Sequence, residues 1–221
     1  MLDKQAPGGW LRAMTPANPP LPTGYSPLPP GHVANVATFL EMTSRPLTQP
    51  QIQADGLSIR QWRDPDLAAY RALFKMIGEP WLWQSRLFMP DAKLTSIFRN
   101  PDIEIYRLFR SEAVAGLLEL DFTSPGECEL SFFGLVPEEI GKGAGRFLMN
   151  EAIRRAWTRP IRRFWVHTCT FDHPAALAFY VRSGFRPFRI EVEICDDPRL
   201  TGLLPRTAAP HVPLIEPTRP L

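Results

Sequence analysis

Short stretches of alternating or continuously apolar residues predict seven β-strands. Successive side chains of a strand point to opposite faces, so alternation indicates one buried face and one exposed face. A short, continuously apolar stretch is typical of a strand buried on both sides. The predicted strands span residues 36–42, 57–62, 103–109, 114–122, 128–136, 164–168 and 188–194.

Apolar residues with helical spacing mark four further stretches. The first begins at Asp64-Pro65, which predicts an N-cap followed by proline at the first helical position. It ends at Gly78, and Gly184 followed by Phe185 predicts a Schellman-type cap after the last helix. The predicted helices span residues 65–78, 91–99, 144–157 and 174–183.

The order of these elements predicts a mixed α/β fold. Three consecutive strands at 103–109, 114–122 and 128–136 are joined by hairpin-length connections, one of which contains Pro125-Gly126. Such connections predict antiparallel pairing. Helix and strand then alternate to the end of the patterned region.

Proline separates this patterned body from the two ends of the chain. There are 25 prolines in 221 residues, about twice the usual share. They are densest before residue 32 and after residue 196. We therefore expect a disordered arm at 1–32, one domain at 33–195, and a C-terminal tail at 196–221 whose leucines favour docking. Since 44% of the residues are hydrophobic, a wholly disordered chain is excluded.

Charge, cysteine and histidine content exclude several functional classes. The net charge is only +2, and the arginines of 154–163 fit a solvated helix end, so we expect no nucleic-acid partner. Three cysteines without C-x-x-C spacing and four scattered histidines predict neither a disulfide scaffold nor a metal site. No apolar run reaches membrane-spanning length, so we expect no membrane partner and a cytoplasmic location.

The most informative motif is a glycine-rich turn between a predicted strand and a predicted helix. Gly141, Gly143 and Gly145 occupy alternate positions there. Glycine permits close backbone approach, and a helix start presents free N–H groups, so the turn predicts an anion site suited to a pyrophosphate. A turn with purely structural glycines is the alternative. The spacing fits neither a Walker loop nor a Rossmann fingerprint.

With this turn, residues 57–194 resemble the GNAT superfamily of acyl-CoA-dependent N-acetyltransferases. The family's pyrophosphate motif, Gln/Arg-x-x-Gly-x-Gly/Ala, aligns with residues 140–145, where Ile140 replaces the first residue. A second family motif, Asn-x-x-Ala-x-x-x-Tyr-x-x-x-Gly-Phe, aligns with residues 173–185. Four of its five positions agree, and His173 stands where Asn is usual.

The resemblance implies both a fold and a cofactor site. The fold is a twisted, mostly antiparallel sheet of six to seven strands, with a splayed parallel pair that binds CoA and helices on both faces. Acetyl-CoA would be the co-substrate, without a metal. Its pantetheine would bond to the backbone near Leu135 and Val136. The implied phosphate and helix contacts are Gly141, Gly143, Ala144, Gly145, Arg146, His173 and Ala176.

The resemblance also implies two catalytic roles. Tyr180 matches the family's general acid, which would protonate the leaving thiolate; a packed core tyrosine is the alternative. Glu129 matches the glutamate that serves some members as general base, and alternation places it with Ser131 and Phe133, opposite Leu130 and Phe132.

Other residues remain candidates for chemistry at the site. Glu119 and His167 are alternative bases, and many relatives use none. Cys169 lacks a paired base in the sequence, which disfavours a covalent acyl-enzyme. The aromatic segment around Arg86 suits an apolar or carboxylate-bearing acceptor, or is simply core or an interface patch. Its members are Trp81, Trp83, Arg86 and Phe88.

The sequence thus predicts an N-acetyltransferase in which a primary amine attacks acetyl-CoA directly in a ternary complex. The acceptor is a small molecule or a peptide, and a homodimer is left open. A non-catalytic acyl-CoA-binding or sensor module on the same fold is the alternative. A nucleotide-binding protein is disfavoured by the poor match to either nucleotide fingerprint.

Overall fold

A seven-stranded sheet with helices on both faces organises the chain. The computed structural model describes residues 18–46 and 56–217. The strands are β1 (His32–Met42), β2 (Leu57–Gln61), β3 (Ile103–Arg110), β4 (Ala113–Asp121), β5 (Glu127–Leu135), β6 (Arg163–Cys169) and β7 (Arg186–Asp196). The helices are α1 (Leu67–Gly78), α2 (Asp91–Phe98), α3 (Ala144–Ala156) and α4 (Ala176–Arg182).

The sheet order, β2-β3-β4-β5-β6-β1-β7, confirms the predicted mixed α/β class. All neighbouring strands are antiparallel except β5 and β6. The first strand of the chain is inserted between β6 and β7 rather than beside β2. Within the described ranges, no helix is both long and apolar enough to cross a membrane.

Two apolar clusters sandwich the sheet. On one face α3 packs Leu148 and Ile153 against strand residues such as Leu118 and Phe164. On the other face α1 and α2 pack against β3 and β4, with Phe74 among the fully buried side chains. Burying one such side chain contributes about 1.5–3 kcal/mol. The helices therefore stabilise the fold by covering the apolar side chains on each face of the sheet.

Helix α1 begins two residues later than the predicted start at Pro65. The N-cap is Asp66, whose carboxylate accepts the Ala69 N–H at 2.8 Å, so the side chain of Asp66 satisfies a first-turn donor. Asp64 lies outside the helix with a left-handed φ of +46°. The predicted Schellman cap of α4 is present, since the Phe185 N–H donates to the Tyr180 carbonyl.

Strand β5 parts from β6 after a short parallel ladder. Only residues 127–129 pair with β6, opposite residues 163–165, whereas pairing with β4 continues to Leu135. The β4–β5 register shifts where Ser131 has no β4 partner, which is a β-bulge.

This bulge reverses the faces of the residues that follow it. Phe133 packs in the same cluster as Leu130, and Phe132 packs in the opposite cluster. The predicted alternation, which grouped Glu129 with Phe133 against Leu130 and Phe132, is therefore wrong beyond Ser131. A single extra residue shifts a two-residue period by one position.

The segment after β7 packs onto the body around a buried ion pair. The Arg199 guanidinium donates to both Asp197 carboxylate oxygens, at 2.9 and 2.7 Å. It also donates to backbone carbonyls between residues 208 and 213, while Leu204 and Val212 join an apolar cluster with Val33. Residues 1–17 of the predicted arm and 218–221 of the predicted tail lie outside the described residues.

We expect Arg199→Met to lower the free energy of unfolding by about 3 kcal/mol, because it leaves the buried Asp197 carboxylate uncompensated. Burial opposes ionisation of Asp197, but Arg199 outweighs it and holds its pKa below 3.8. The contribution is therefore present at neutral pH and is lost as the pH falls below that value. Urea unfolding across this range measures both effects.

The matched control is Arg206→Met, because Arg206 forms an exposed ion pair with Glu216. It should change the unfolding free energy by about 0.5 kcal/mol or less. Equal effects of the two substitutions would contradict a special role for the buried pair.

Candidate active site

A cavity of about 640 Å³ opens where β5 and β6 diverge. Residues of both strands line it, including Gly134 and Leu135 on β5 and His167 on β6. At one end it reaches the glycine-rich turn before α3, and at the other it reaches the segment 81–86. The cavity is therefore a consequence of the short β5–β6 ladder.

The glycine-rich turn presents free backbone donors to the cavity. Gly141 and Gly143 have left-handed φ values of +81° and +82°, and a Cβ atom at either would meet no atom within 4 Å. The N–H groups of Gly141, Gly143 and Gly145, which line the cavity, donate no hydrogen bond within the described part of the chain. Helix α3 has no side-chain cap, so its positive end faces the turn. The arrangement suits an anionic group.

Arg146 differs from the other predicted phosphate contacts. Its backbone N–H donates to the Gly143 carbonyl at 3.1 Å and is already used. Its side chain lines the cavity, donates to the Ser183 hydroxyl at 3.3 Å and lies over the Phe179 ring. Arg146 can therefore meet an anion through its guanidinium rather than its backbone.

Two predicted cofactor contacts do not line the cavity. The Val136 N–H donates to the Ala115 carbonyl, its own carbonyl accepts from Glu139, and its side chain is buried beside α1. The Ala144 side chain is fully buried against the sheet. Leu135, by contrast, lines the cavity.

The start of α4 forms one wall of the cavity. His173 and Ala176 both line it. The His173 ring accepts the Ala175 N–H at 3.1 Å, and its carbonyl accepts the Ala176 N–H at 2.8 Å. His173 therefore orders the first turn of α4, and its ring packs edge-on against Trp81.

Tyr180 extends from α4 to the cavity wall. Its side chain is buried among Phe133, Phe179 and Phe185, and its hydroxyl has no hydrogen-bond partner among the described residues. Burial, with a smaller effect from the Asp172 carboxylate, raises the pKa of Tyr180 well above its usual 10. The phenol is therefore protonated at neutral pH and is available as a proton donor.

Glu129 lies at the point where the two strands part. It is buried to 93%, lines the cavity, and sits 4.0 Å from His167 Nδ1 across the β5–β6 pair. The structure thus brings the predicted base and the alternative base His167 together. Phe39 stacks on the His167 ring and fixes its plane.

Glu119, the other alternative base, does not line the cavity. It is completely buried and accepts hydrogen bonds from Arg86 and from the Tyr70 hydroxyl, the latter at 2.8 Å. Burial and the Glu119 charge raise the pKa of Tyr70 well above its usual value. Of the three residues in this network, Arg86 lines the cavity, whereas Glu119 and Tyr70 do not.

The same network changes the prediction for the acceptor. Arg86 is 2% exposed and its guanidinium is paired with Glu119, so it offers no free cation to a substrate carboxylate. Trp81 and Trp83 line the cavity, whereas Phe88 does not. Trp83 Nε1 donates to Asp172 at 3.1 Å, which holds this wall against the β6–α4 connection.

The lining residues that were missed from the sequence include Asn35, Glu193 and Asp172. Asn35 on β1 donates to Glu193 on β7 at 2.9 Å, and both line the cavity. Asp172 binds the Trp83 indole, the Thr168 hydroxyl and the Cys169 N–H. The neighbouring positions of β1 and β7 are far apart in sequence, so no local motif joins them.

No group of three or more His, Cys, Asp or Glu side chains in residues 18–46 and 56–217 could hold a metal ion. The cavity is lined by backbone donors of the glycine-rich turn, by carboxylates that include Glu129 and Glu193, and by the protonated Tyr180 phenol.

Residues 61–185, more than half of the chain, match the sequence profile of the Acetyltransferase (GNAT) family. No curated protein sequence matches the chain. A functionally unknown conserved protein from Staphylococcus epidermidis ATCC 12228 superimposes with a TM-score of 0.56 at 14% identity, over 76% of this chain and 63% of that one.

Two further solved structures share the fold. A GCN5-related N-acetyltransferase from Kribbella flavida has a TM-score of 0.51 at 16% identity, over 78% of this chain and 63% of that one. A GNAT-family putative acetyltransferase from Novosphingobium aromaticivorans DSM 12444 has a TM-score of 0.50 at 19% identity, over 76% and 67%. This chain thus spans less than two thirds of the length of the Staphylococcus and Kribbella proteins.

We expect the two cysteines at the cavity to be poor nucleophiles. Burial, reinforced by neighbouring carboxylates, raises the pKa of Cys169 to about 12 and that of Cys195 to about 11. Because the thiolate is the reactive form and each pKa unit lowers its share about tenfold, alkylation by iodoacetamide at neutral pH should be at least 100-fold slower than for free cysteine. Mass spectrometry of the modified peptides measures this rate.

The protein unfolded in urea provides the control, and both thiols should then react at the rate of free cysteine. Rapid modification of Cys169 in the folded protein would contradict this expectation and would support a mechanism with a covalent acyl-enzyme on Cys169.

Proposed function

Because the chain belongs to the GNAT acetyltransferase family, we propose that it transfers an acetyl group from acetyl-CoA to a primary amine by direct attack in a ternary complex. The observation that carries the proposal is a single cavity with three kinds of group along it. Free backbone donors lie at the glycine turn, the Tyr180 phenol on one wall, and the Glu129 carboxylate where the strands part.

The glycine turn supports binding of the CoA pyrophosphate. The open space above Gly141 and Gly143 lets phosphate oxygens approach the backbone closely, and any side chain there would fill it. The three free glycine N–H groups and the positive end of α3 act together on one anion. Arg146 adds a guanidinium from the side.

The gap between the diverging strands supports binding of pantetheine. From Leu130 onward, β5 has no β6 partner, so its backbone can bond an extended ligand arm as a further strand would. Backbone N–H groups in 133–135 would stabilise the oxyanion of the thioester carbonyl. This stabilisation matters because negative charge develops on that oxygen in the transition state.

Glu129 and Tyr180 support the two proton transfers. An ammonium group has no lone pair, so Glu129 first accepts a proton from the acceptor, directly or through water, and the neutral amine nitrogen then attacks the carbonyl carbon. The tetrahedral intermediate collapses, the C–S bond breaks, and Tyr180 protonates the departing thiolate. The nitrogen loses its second proton as the amide forms, and this proton replaces, through solvent, the one that Tyr180 gave to the thiolate. The amide and free CoA are the products, and Glu129 releases its proton to solvent.

The charges around the cavity favour an amine over a carboxylate acceptor. Arg86 is neutralised by Glu119, whereas Glu129 and Glu193 present carboxylates. The first test is acetyl-CoA turnover with a panel of small amines and peptides. CoA binding in calorimetry without turnover on any amine would instead support the acyl-CoA-binding or sensor module.

We expect Tyr180→Phe to lower kcat about 100-fold while leaving CoA binding unchanged, because only the proton donor is removed. Steady-state kinetics and calorimetry measure the two quantities. Tyr25→Phe is the matched control, since Tyr25 is fully exposed and should have no effect. A Tyr180→Phe variant as fast as the wild type would show that Tyr180 is not the acid.

We expect Glu129→Gln to lower kcat/KM at neutral pH by about 10- to 100-fold, because the carboxylate that takes the proton from the substrate amine is removed. The deficit should narrow as the pH approaches about 10, where the amine is increasingly neutral without help. The pH profile of kcat/KM tests this directly.

Glu127→Gln is the control on the same strand, since Glu127 pairs with Arg163 and does not line the cavity. A deficit in Glu129→Gln that is the same at every pH would indicate a role other than proton acceptance.

A further inference from the structure

Strand β7 forms an edge of the sheet that no described residue covers. It pairs only with β1, and its other side has no strand beside it. At eleven residues it is a long edge strand, and residues 189–196 pair with β1 without interruption. Long, regular, uncovered edges are templates for pairing with another strand, and monomeric proteins usually blunt them.

The same strand exposes an apolar stripe. Ile190, Val192 and Ile194 are 67%, 45% and 45% exposed, and Val36 on β1, directly opposite Val192, is 41% exposed. Helix α4 exposes Leu177 and Val181, one turn apart, neither of which lines the cavity. An apolar stripe of this kind on an edge strand is typical of a protein interface.

The charged residues of β7 identify the partner. Between the apolar residues lie Arg189, Glu191 and Glu193 on the other face of the strand. If two copies of β7 pair antiparallel about Glu191, Arg189 lies opposite Glu193 of the other copy, and Ile190 lies opposite Val192. Each pair occurs twice because the arrangement is two-fold symmetric. The strand is therefore complementary to itself in both charge and hydrophobicity.

Within one copy, Glu191 is balanced by Arg189 at 3.2 Å, which lowers the repulsion between the two Glu191 residues at the two-fold axis. Glu193 accepts its hydrogen bond from the neutral Asn35 amide. A cation from a second copy would therefore meet a carboxylate that no ion pair in the described residues neutralises.

We infer that the protein forms a homodimer in which two β7 strands pair antiparallel, making one continuous fourteen-stranded sheet. Since Glu193 lines the cavity, the Arg189 of the second copy then lies at the cavity rim of the first. This interface is independent of the chemistry proposed above.

Molar mass in solution tests the inference, measured by sedimentation equilibrium over a range of protein concentrations. The wild type should be a dimer. Val192→Lys should be monomeric, because each lysine would lie opposite Ile190 of the other copy and charged residues on edge strands oppose pairing. Met76→Lys is the control and should remain dimeric, since Met76 is equally exposed but lies on α1.

Charge reversal tests the register. Arg189→Glu and Glu193→Arg should each weaken dimerisation by about tenfold or more, because each places like charges opposite one another twice. The double variant restores opposite charges and should recover the dimer. A monomeric wild type at all concentrations would overturn the inference. It would also be overturned if Val192→Lys remained dimeric, or if the double variant dimerised no more tightly than the two single variants.

Discussion

The architecture of the site depends on one constraint, the parting of β5 from β6 after Glu129. Strands that stop pairing leave backbone N–H and C=O groups without sheet partners, and leaving such groups buried and unbonded costs about 1–3 kcal/mol each. The chain avoids this cost because the unpaired backbone groups face a cavity there instead of being buried in a packed core. The bulge at Ser131 bends β5 toward β4, and the glycine turn and α4 form the remaining walls.

Much of this arrangement was predictable from local sequence. The glycine turn, the cap at Gly184 and the hairpins each depend on a few consecutive residues, and the structure contains them. Alternation located all seven strands, but it carries no information about an extra residue in a strand, so the facing of Phe132 and Phe133 was predicted wrongly. The partners of Arg86 and the Asn35–Glu193 contact were unpredictable because they join residues from distant elements.

A buried network of charged groups lies at the side of the cavity formed by segment 81–86. Arg86, Glu119 and Tyr70 form a network beneath β5, and the Arg86 guanidinium lies over the Phe132 ring. Such a network is expensive to desolvate and adds little net stability, but it fixes the side chains it joins. Glu119 lies opposite Phe132 in the β4–β5 ladder, so the network lies directly beside the bulge.

The insertion of β1 between β6 and β7 also determines when the fold can be completed. Val36 on β1 bonds Thr170 at the end of β6, 134 residues later. During synthesis β1 therefore finds no neighbour until β6 has emerged, while β3, β4 and β5 can pair as soon as they emerge. Contacts of such long range slow folding because a large loop must close first. Until then β1 has no sheet neighbour on either side, and its unpaired edges make the emerging chain prone to aggregation.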